Sequence, residues 1–288
     1  MTAPASVAVI ANCQSVGLGQ ALRLMIPGAA VRIVRVHLTN DETRPRVLEN
    51  LGRSDLILTQ DTRTFGELNA ASLKQHFPDK TLVVPNVYYR GFHPDACYVG
   101  PLGDRVISPV GDYNSVVVLD SFLKGLTPAQ CLERFSPEGF ADLGLDRGHA
   151  LSMEEMTRRD NRLDFAGKPI IERFLERKSV FMYTINHPRA AVLAAIAGAA
   201  LDLAGVRHDS YDPDFVFDNL MGGPLLAIQP FLSDVLGYEV AFPRWRASGE
   251  DQRYLANAEF IAASYRIYSE TDRDKLVVQS PPALKSVA

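Results

Sequence analysis

The chain has 288 residues, a formal net charge of −4, and 47% hydrophobic against 22% charged side chains, the balance of a globular protein with one large or two modest domains. A mildly acidic chain is not a bulk basic nucleic-acid binder, although a local phosphate site is compatible with it. Cysteines at 13, 97 and 131 are too few for a disulfide framework, so reduced thiols and a cytoplasmic location are expected.

The opening MTAPASVAVIANC has no basic residue before Arg23, and it reads as a strand rather than a leader. Up to residue 86 the pattern alternates between β-branched runs and helical segments, as in βαβ units of a parallel sheet. Strands are expected at 6–12, 31–38, 55–60 and 81–86, with helices at 16–26, 44–52 and 66–77 between them. The apolar continuity of the first and fourth strands fits burial on both faces. From 87 to 114 the chain becomes rich in Gly, Pro, Tyr and Asp, and a loop of that length is read as functional. Helices follow at 115–125, 127–135, 152–163 and 170–178; Thr127 suits an N-cap and Pro128 the first helical position.

A further strand is expected at 179–186 (SVFMYTIN), returning to the sheet, and then an Ala-rich helix at 189–204. The apolar run 190–201 stops at Asp202, short of the roughly 20 residues a spanning helix needs, so no transmembrane segment is expected. An Asp/Tyr/Phe-rich loop (HDSYDPDFVFDN), helices around 225–236 and 251–269, and a disordered tail (QSPPALKSVA) complete the chain. The expected architecture is α/β: a parallel-sheet, three-layer N-terminal core with an SGNH- or flavodoxin-like layout, and a largely helical C-terminal part. The division is placed at 1–114 and 115–288.

In open parallel sheets ligands bind beyond the carboxyl ends of the strands. There the expected strands deliver Asn12-Cys13-Gln14-Ser15, Gln60-Asp61, Asn86 and Asn186-His187, and the loop with Arg90 and His93 leaves the same rim. Cys13 stands where helix N–H groups favour a thiolate and is the nucleophile candidate, although Cys also packs in cores without further role. His187 and His93 are the candidate bases, each equally able to cap or cross-link a loop. Asn86 and Asn186 are placed to donate to a developing oxyanion or to close turns. Gln14 and Ser15 offer an anion site or plain N-capping, and Arg90 a phosphate clamp or a solvated loop charge. His37, His76, His149 and His208 are read as surface or structural, Cys131 as inert, and no Cys/His spacing points to a metal. A P-loop, a full dinucleotide fingerprint and a GxSxG elbow are missing.

ANCQS at 11–15, NVYYRGFHPD at 86–95, the segment SVVVLDSFLKGLTPAQCLERF at 115–135 and TINHP at 184–188 together resemble the WcbI-type polysaccharide-biosynthesis family, associated with acetyl transfer in bacterial capsule synthesis. The resemblance covers most of the chain to about residue 205. It implies coenzyme A or acetyl-CoA as the small-molecule acyl donor, a saccharide hydroxyl as acceptor and no metal. The layout is also similar to SGNH hydrolases, but Cys13 stands in place of Ser and no DxxH occurs near the C-terminus, so that triad does not carry over. Two routes fit the leading acetyltransferase reading: an acyl-Cys13 intermediate, or direct transfer with His187 or His93 activating the hydroxyl. A cysteine-dependent esterase or thioesterase, and a non-catalytic coenzyme- or glycan-binding protein, are the rival readings. Oligomeric state is not readable from the sequence.

Overall fold

A computed structural model describes residues 4–247 and 252–279. In chain order the first elements are β1 (Ser6–Ala11), α1 (Ser15–Met25), β2 (Ala30–Arg35), α2 (Arg44–Gly52), β3 (Leu56–Gln60), α3 (Ala70–His76) and β4 (Thr81–Val84). Next come β5 (Ala96–Cys97), β6 (Asn114–Ser115), α4 (Val116–Leu123), α5 (Pro128–Glu133), α6 (Pro137–Asp142), α7 (Gly148–Asp160), α8 (Lys168–Glu176) and α9 (Ala190–Leu203). The last are α10 (Leu232–Leu236), β7 (Trp245–Arg246), β8 (Tyr254–Leu255) and α11 (Asn257–Ser269). The elements group into two compact units that interleave in sequence. One comprises the chain up to Tyr88, Glu155–Phe181 and His187–Gly222; the other comprises Tyr89–Glu154, Met182–Asn186 and the chain from Gly223 onward.

The first unit is built on a parallel four-stranded sheet of order β2-β1-β3-β4. Val7–Ala11 of β1 are wholly buried, as expected of a central strand covered on both faces. β2 lies at an edge, with Arg32 and Arg35 exposed, a charged edge that discourages further pairing. Period-two alternation sends Ala8 and Ile10 of β1 into a cluster with Leu51 of α2 and Leu73 of α3. Helices α1 and α9 pack against each other in the same unit. The order reverses between β1 and β3, so the topological switch point lies at the carboxyl ends of these strands.

The second unit is mostly helical. Ser115 caps α4 by accepting from Val118 N (3.4 Å). Thr127 and Gln130 form a reciprocal capping box at α5, with Pro128 at its first turn. Asp120, buried in α4, pairs with Lys124 and Arg134 at 2.8 Å each. Trp245 stacks on Phe260 with ring centroids 4.0 Å apart, and its indole N–H donates to Asn257.

Three expectations are corrected. The segment 179–186 does not join the sheet: Lys178 turns with φ 54°, and the backbone beyond it bonds piecemeal, Ile185 O to Tyr89 N and Tyr183 O to Leu226 N, instead of forming a ladder. The helix expected over 225–236 is helical only from Leu232, because Pro230 disfavours helix before it and Leu225 and Ile228 make β-bridges to Arg246 and Phe242. The helix expected over 251–269 starts at Asn257, after the short β8 strand, and residue 251 lies outside the described residues. So does the tail at 279–288, apart from Gln279. The long segment after β4 is largely buried and pairs β5 with β6. Among the described residues no helix is long and apolar enough to cross a membrane.

Candidate active site

In the first unit the ends of β1, β3 and β4 are tied by four side-chain amides. Gln60 Oε1 accepts from Asn12 N (3.2 Å), so its amide nitrogen donates to Gln14 Oε1 (2.8 Å). Gln14 Oε1 also accepts from Val87 N (3.3 Å), while Gln14 Nε2 donates to Val87 O (2.8 Å) and Asn86 Oδ1 (3.3 Å). Asn12 Oδ1 accepts from Gln14 N (3.0 Å), and Asn12 Nδ2 donates to Asn86 Oδ1 (3.2 Å). Backbone groups have fixed donor and acceptor roles, so four of them set the orientation of every amide in the network. Gln14 is therefore a strut between strand ends, fully buried, rather than an exposed anion ligand. Ser15 is likewise buried and begins α1, its N–H donating to Asn12 O (3.1 Å).

Cys13 is half-buried beside this network, its thiol 3.7 Å from Asn12 Oδ1. The expected thiolate is corrected: burial pushes the Cys13 pKa up to about 11, outweighing the backbone N–H groups of Cys13 and Gln14 that pull it down. A helix N-terminus supplies a partial charge, and here desolvation is the larger effect.

His187 also belongs to the first unit and stands just ahead of α9. Burial lowers its pKa to about 4, against the opposing pull of Asp218, so the imidazole is neutral at physiological pH. Asp218 meanwhile accepts from Ala190 N (2.6 Å) and Leu220 N (3.1 Å), tying the first turn of α9 to the loop after it. The two helices run parallel. A Cβ on Gly17 near the start of α1 would lie 2.4 Å from Leu193 near the start of α9, and Met25 at the end of α1 approaches Gly198 farther along α9. Their N-terminal ends therefore lie toward the same side of the unit, with Cys13 and His187 just ahead of them.

The other candidates fall in the second unit. His93 is buried, Nδ1 lies 3.1 Å from Ala227 O, and burial holds its pKa down to about 4. Arg90 is not an open phosphate clamp: it is 7% exposed and its Nη2 donates to Pro94 O and Ala96 O at 2.6 Å each. Asn186 Oδ1 accepts from Tyr113 Oη (2.5 Å) and Thr184 Oγ1 (3.1 Å). Beside Arg90, burial raises the Asp95 pKa to about 6. Among the described residues no group of three or more His, Cys, Asp or Glu is placed to hold a metal. Sequence reasoning missed Asp218, whose only signal is its place in an Asp-rich loop, and the structural role of Gln60.

A parallel α/β core whose polar residues gather at the carboxyl ends of its strands is the arrangement of a ligand-binding α/β protein. A family described as "Polysaccharide biosynthesis enzyme WcbI" matches residues 6–209, and the chain belongs to this family of polysaccharide-biosynthesis enzymes. The match includes every site residue expected from the sequence, while Asp218 lies beyond it. Searches of curated proteins and of solved structures gave no match.

Proposed function

We propose that the chain is an acyl-CoA-dependent O-acetyltransferase that modifies a saccharide hydroxyl during polysaccharide assembly in the cytoplasm. The observation that supports it best is that a neutral His187 and a half-buried Cys13 each stand just ahead of one of two packed helices that run in the same direction. The helix ends supply positive potential where a tetrahedral oxyanion would form. An unprotonated imidazole is the form able to accept a proton.

The raised Cys13 pKa favours the direct route, since a thiol with pKa about 11 is ionised in roughly one molecule in ten thousand at neutral pH. His187 takes the proton of the saccharide hydroxyl as that oxygen attacks the thioester carbonyl. Collapse of the tetrahedral intermediate breaks the carbon–sulfur bond, and the departing coenzyme A sulfur takes the proton from the imidazolium. Asp218 stabilises that imidazolium. Cys13 shapes the pocket wall.

The test is calorimetric titration with acetyl-CoA and coenzyme A, paired with a transfer assay on Cys13→Ala and His187→Gln. His187→Gln is expected to lose about a hundred- to ten-thousand-fold in turnover while Cys13→Ala stays within about tenfold of the parent. Turnover is expected to hold from pH 8 down to about 5, because His187 keeps its free base until pH approaches about 4. No binding of either coenzyme would overturn the acetyltransferase reading. Abolition of turnover by Cys13→Ala would replace direct transfer by an acyl-cysteine route.

A further inference from the structure

Beside the amide network, the first unit contains a narrow, partly open pocket with room for no more than about one or two water-sized groups, the size of a carboxylate head rather than of a whole sugar or acyl chain. Asn86 and Arg159 line it together with Asp160 and the apolar side chains of Met156, Leu163 and Ile170. Two donors here have no protein acceptor among the described residues. Asn86 Oδ1 is taken by Asn12 and Gln14, whose orientations are fixed by backbone groups, so the Asn86 NH2 is the branch left over. The charges around Arg159 are otherwise paired. Arg158 donates to both Glu155 oxygens (2.8 and 2.6 Å), and Arg162 grips Asp61 Oδ2 (3.0 and 2.7 Å). Asp160 spends its two oxygens on Gly167 N (2.8 Å) and Lys168 N (3.0 Å), at the start of α8. The Arg159 side chain has neither a hydrogen bond nor an ion pair among the described residues. Burial pulls its pKa down while Glu155 and Asp61 act only at longer range.

We propose that this pocket binds a carboxylate group of the substrate, held by the Arg159 guanidinium and the Asn86 amide NH2. A planar fork plus one amide matches the two oxygens of a carboxylate. A phosphate dianion needs more donors than these two to replace its water, and the adjacent Asp160 carboxylate disfavours the second charge. The apolar walls suit a group that brings one charge and little other polarity. The inference deepens the acyl-transfer reading, and the carboxylate has two possible sources there: an acidic sugar as acceptor, or a dicarboxylic acyl group on the donor.

The test is calorimetric titration of the full chain with two matched pairs, methyl glucuronoside against methyl glucoside and succinyl-CoA against acetyl-CoA. One carboxylate probe is expected to bind at least about tenfold more tightly than its partner, the range of a hydrogen-bonded charge. That preference is expected to vanish in Arg159→Met and to persist in Arg158→Gln, which makes the same charge change next door. A glucuronoside preference assigns the acceptor, and a succinyl-CoA preference assigns the donor. Should Arg159→Met fail to fold by circular dichroism, Arg159→Lys takes its place, keeping the charge without the fork, and is expected to cut the preference by at least about threefold. Equal binding within both pairs, or a preference untouched at position 159, overturns the inference. If the glucuronoside is preferred while neither coenzyme thioester binds, the acyl-CoA reading fails and the carboxylate pocket stands. If both thioesters bind alike and both glycosides bind alike, the carboxylate pocket fails and the acyl-CoA reading stands.

Discussion

At the carboxyl ends of β1, β3 and β4 the buried polar groups are neutral amides, Asn12, Gln14, Gln60 and Asn86, and each amide oxygen meets a donor. The Tyr89–Ser115 segment of the second unit instead buries Arg90, His93 and Asp95, groups that carry or can take up charge. The two solutions differ in what they do to the protein. Neutral amides whose oxygens all meet donors hold strand ends in register at any pH, because no member titrates. Two of the buried ionisable groups make their neighbourhood pH-sensitive, since burial moves the His93 pKa down to about 4 and the Asp95 pKa up to about 6. The region that holds Cys13 and His187 thus rests on a pH-independent scaffold.

The most damaging change to that scaffold is Gln14→Ala. It removes the partner of Gln60 Nε2, of Val87 N and O, and one donor to Asn86, all in a fully buried setting. With about 1–3 kcal/mol for a buried group left unsatisfied, and more than one such group, a loss of about 4 kcal/mol is expected in chemical denaturation. A loss under about 1 kcal/mol would mean that the network is not what holds the strand ends.

Asp95→Asn probes the other region. The folded pKa of Asp95 is about 6 against an ordinary 3.8. The folded state therefore holds a proton that the unfolded state has released between those values, so Asp95's contribution to stability falls as pH rises through about 6. The span corresponds to about 3 kcal/mol. His93 and His187, both lowered to about 4, act in the opposite direction: their contribution is full above their unfolded pKa and is lost as pH falls through about 4. Those residues are common to both proteins and cancel in the difference. Asp95→Asn is thus expected to gain up to about 3 kcal/mol on the parent between pH 4 and pH 7, measured by denaturation at each pH. A difference that does not change with pH would place Asp95 outside this account.

The division between what could be read in advance and what could not follows the range of the interactions. Strands β1 to β4 were legible because β-branched runs and helical spacing are local, and Thr127-Pro128 announced its helix because a cap needs only four neighbouring residues. The residues at the strand ends were legible as a set. Their jobs were not: Gln14 becomes a strut only because the order β2-β1-β3-β4 puts β3 beside β1 and β4 beside β3, which spacing does not encode. Cys13 shows the same limit, since its place ahead of a helix is local and its desolvation is tertiary. Residues 179–186 have the composition of a strand, yet their hydrogen-bond partners lie at Tyr89 and Leu226, in distant parts of the chain. Arg159 carries no signal at all, because only the pairing of its neighbours singles it out.

The smallest expected effect on stability is at Gly17, and it tests how packing rather than hydrogen bonding sets the site. A Cβ there would lie 2.4 Å from Leu193 Cδ1 and 3.5 Å from Asn219 Oδ1, so Gly17→Ala must move a core side chain or separate α1 from α9. Overpacking costs about 1–3 kcal/mol, while replacing a helical glycine returns close to 1 kcal/mol. A net loss of about 1 kcal/mol is expected by thermal or chemical denaturation. Separating the helices also shifts His187 relative to Cys13, and small misplacements of reacting groups are costly. Gly17→Ala should therefore lower turnover by a larger factor than its stability change would suggest, with no change in the pH profile. If turnover is unaffected while stability falls, the close approach of the two helices serves the core alone, and the placement of His187 rests on Asp218 and the start of α9 instead.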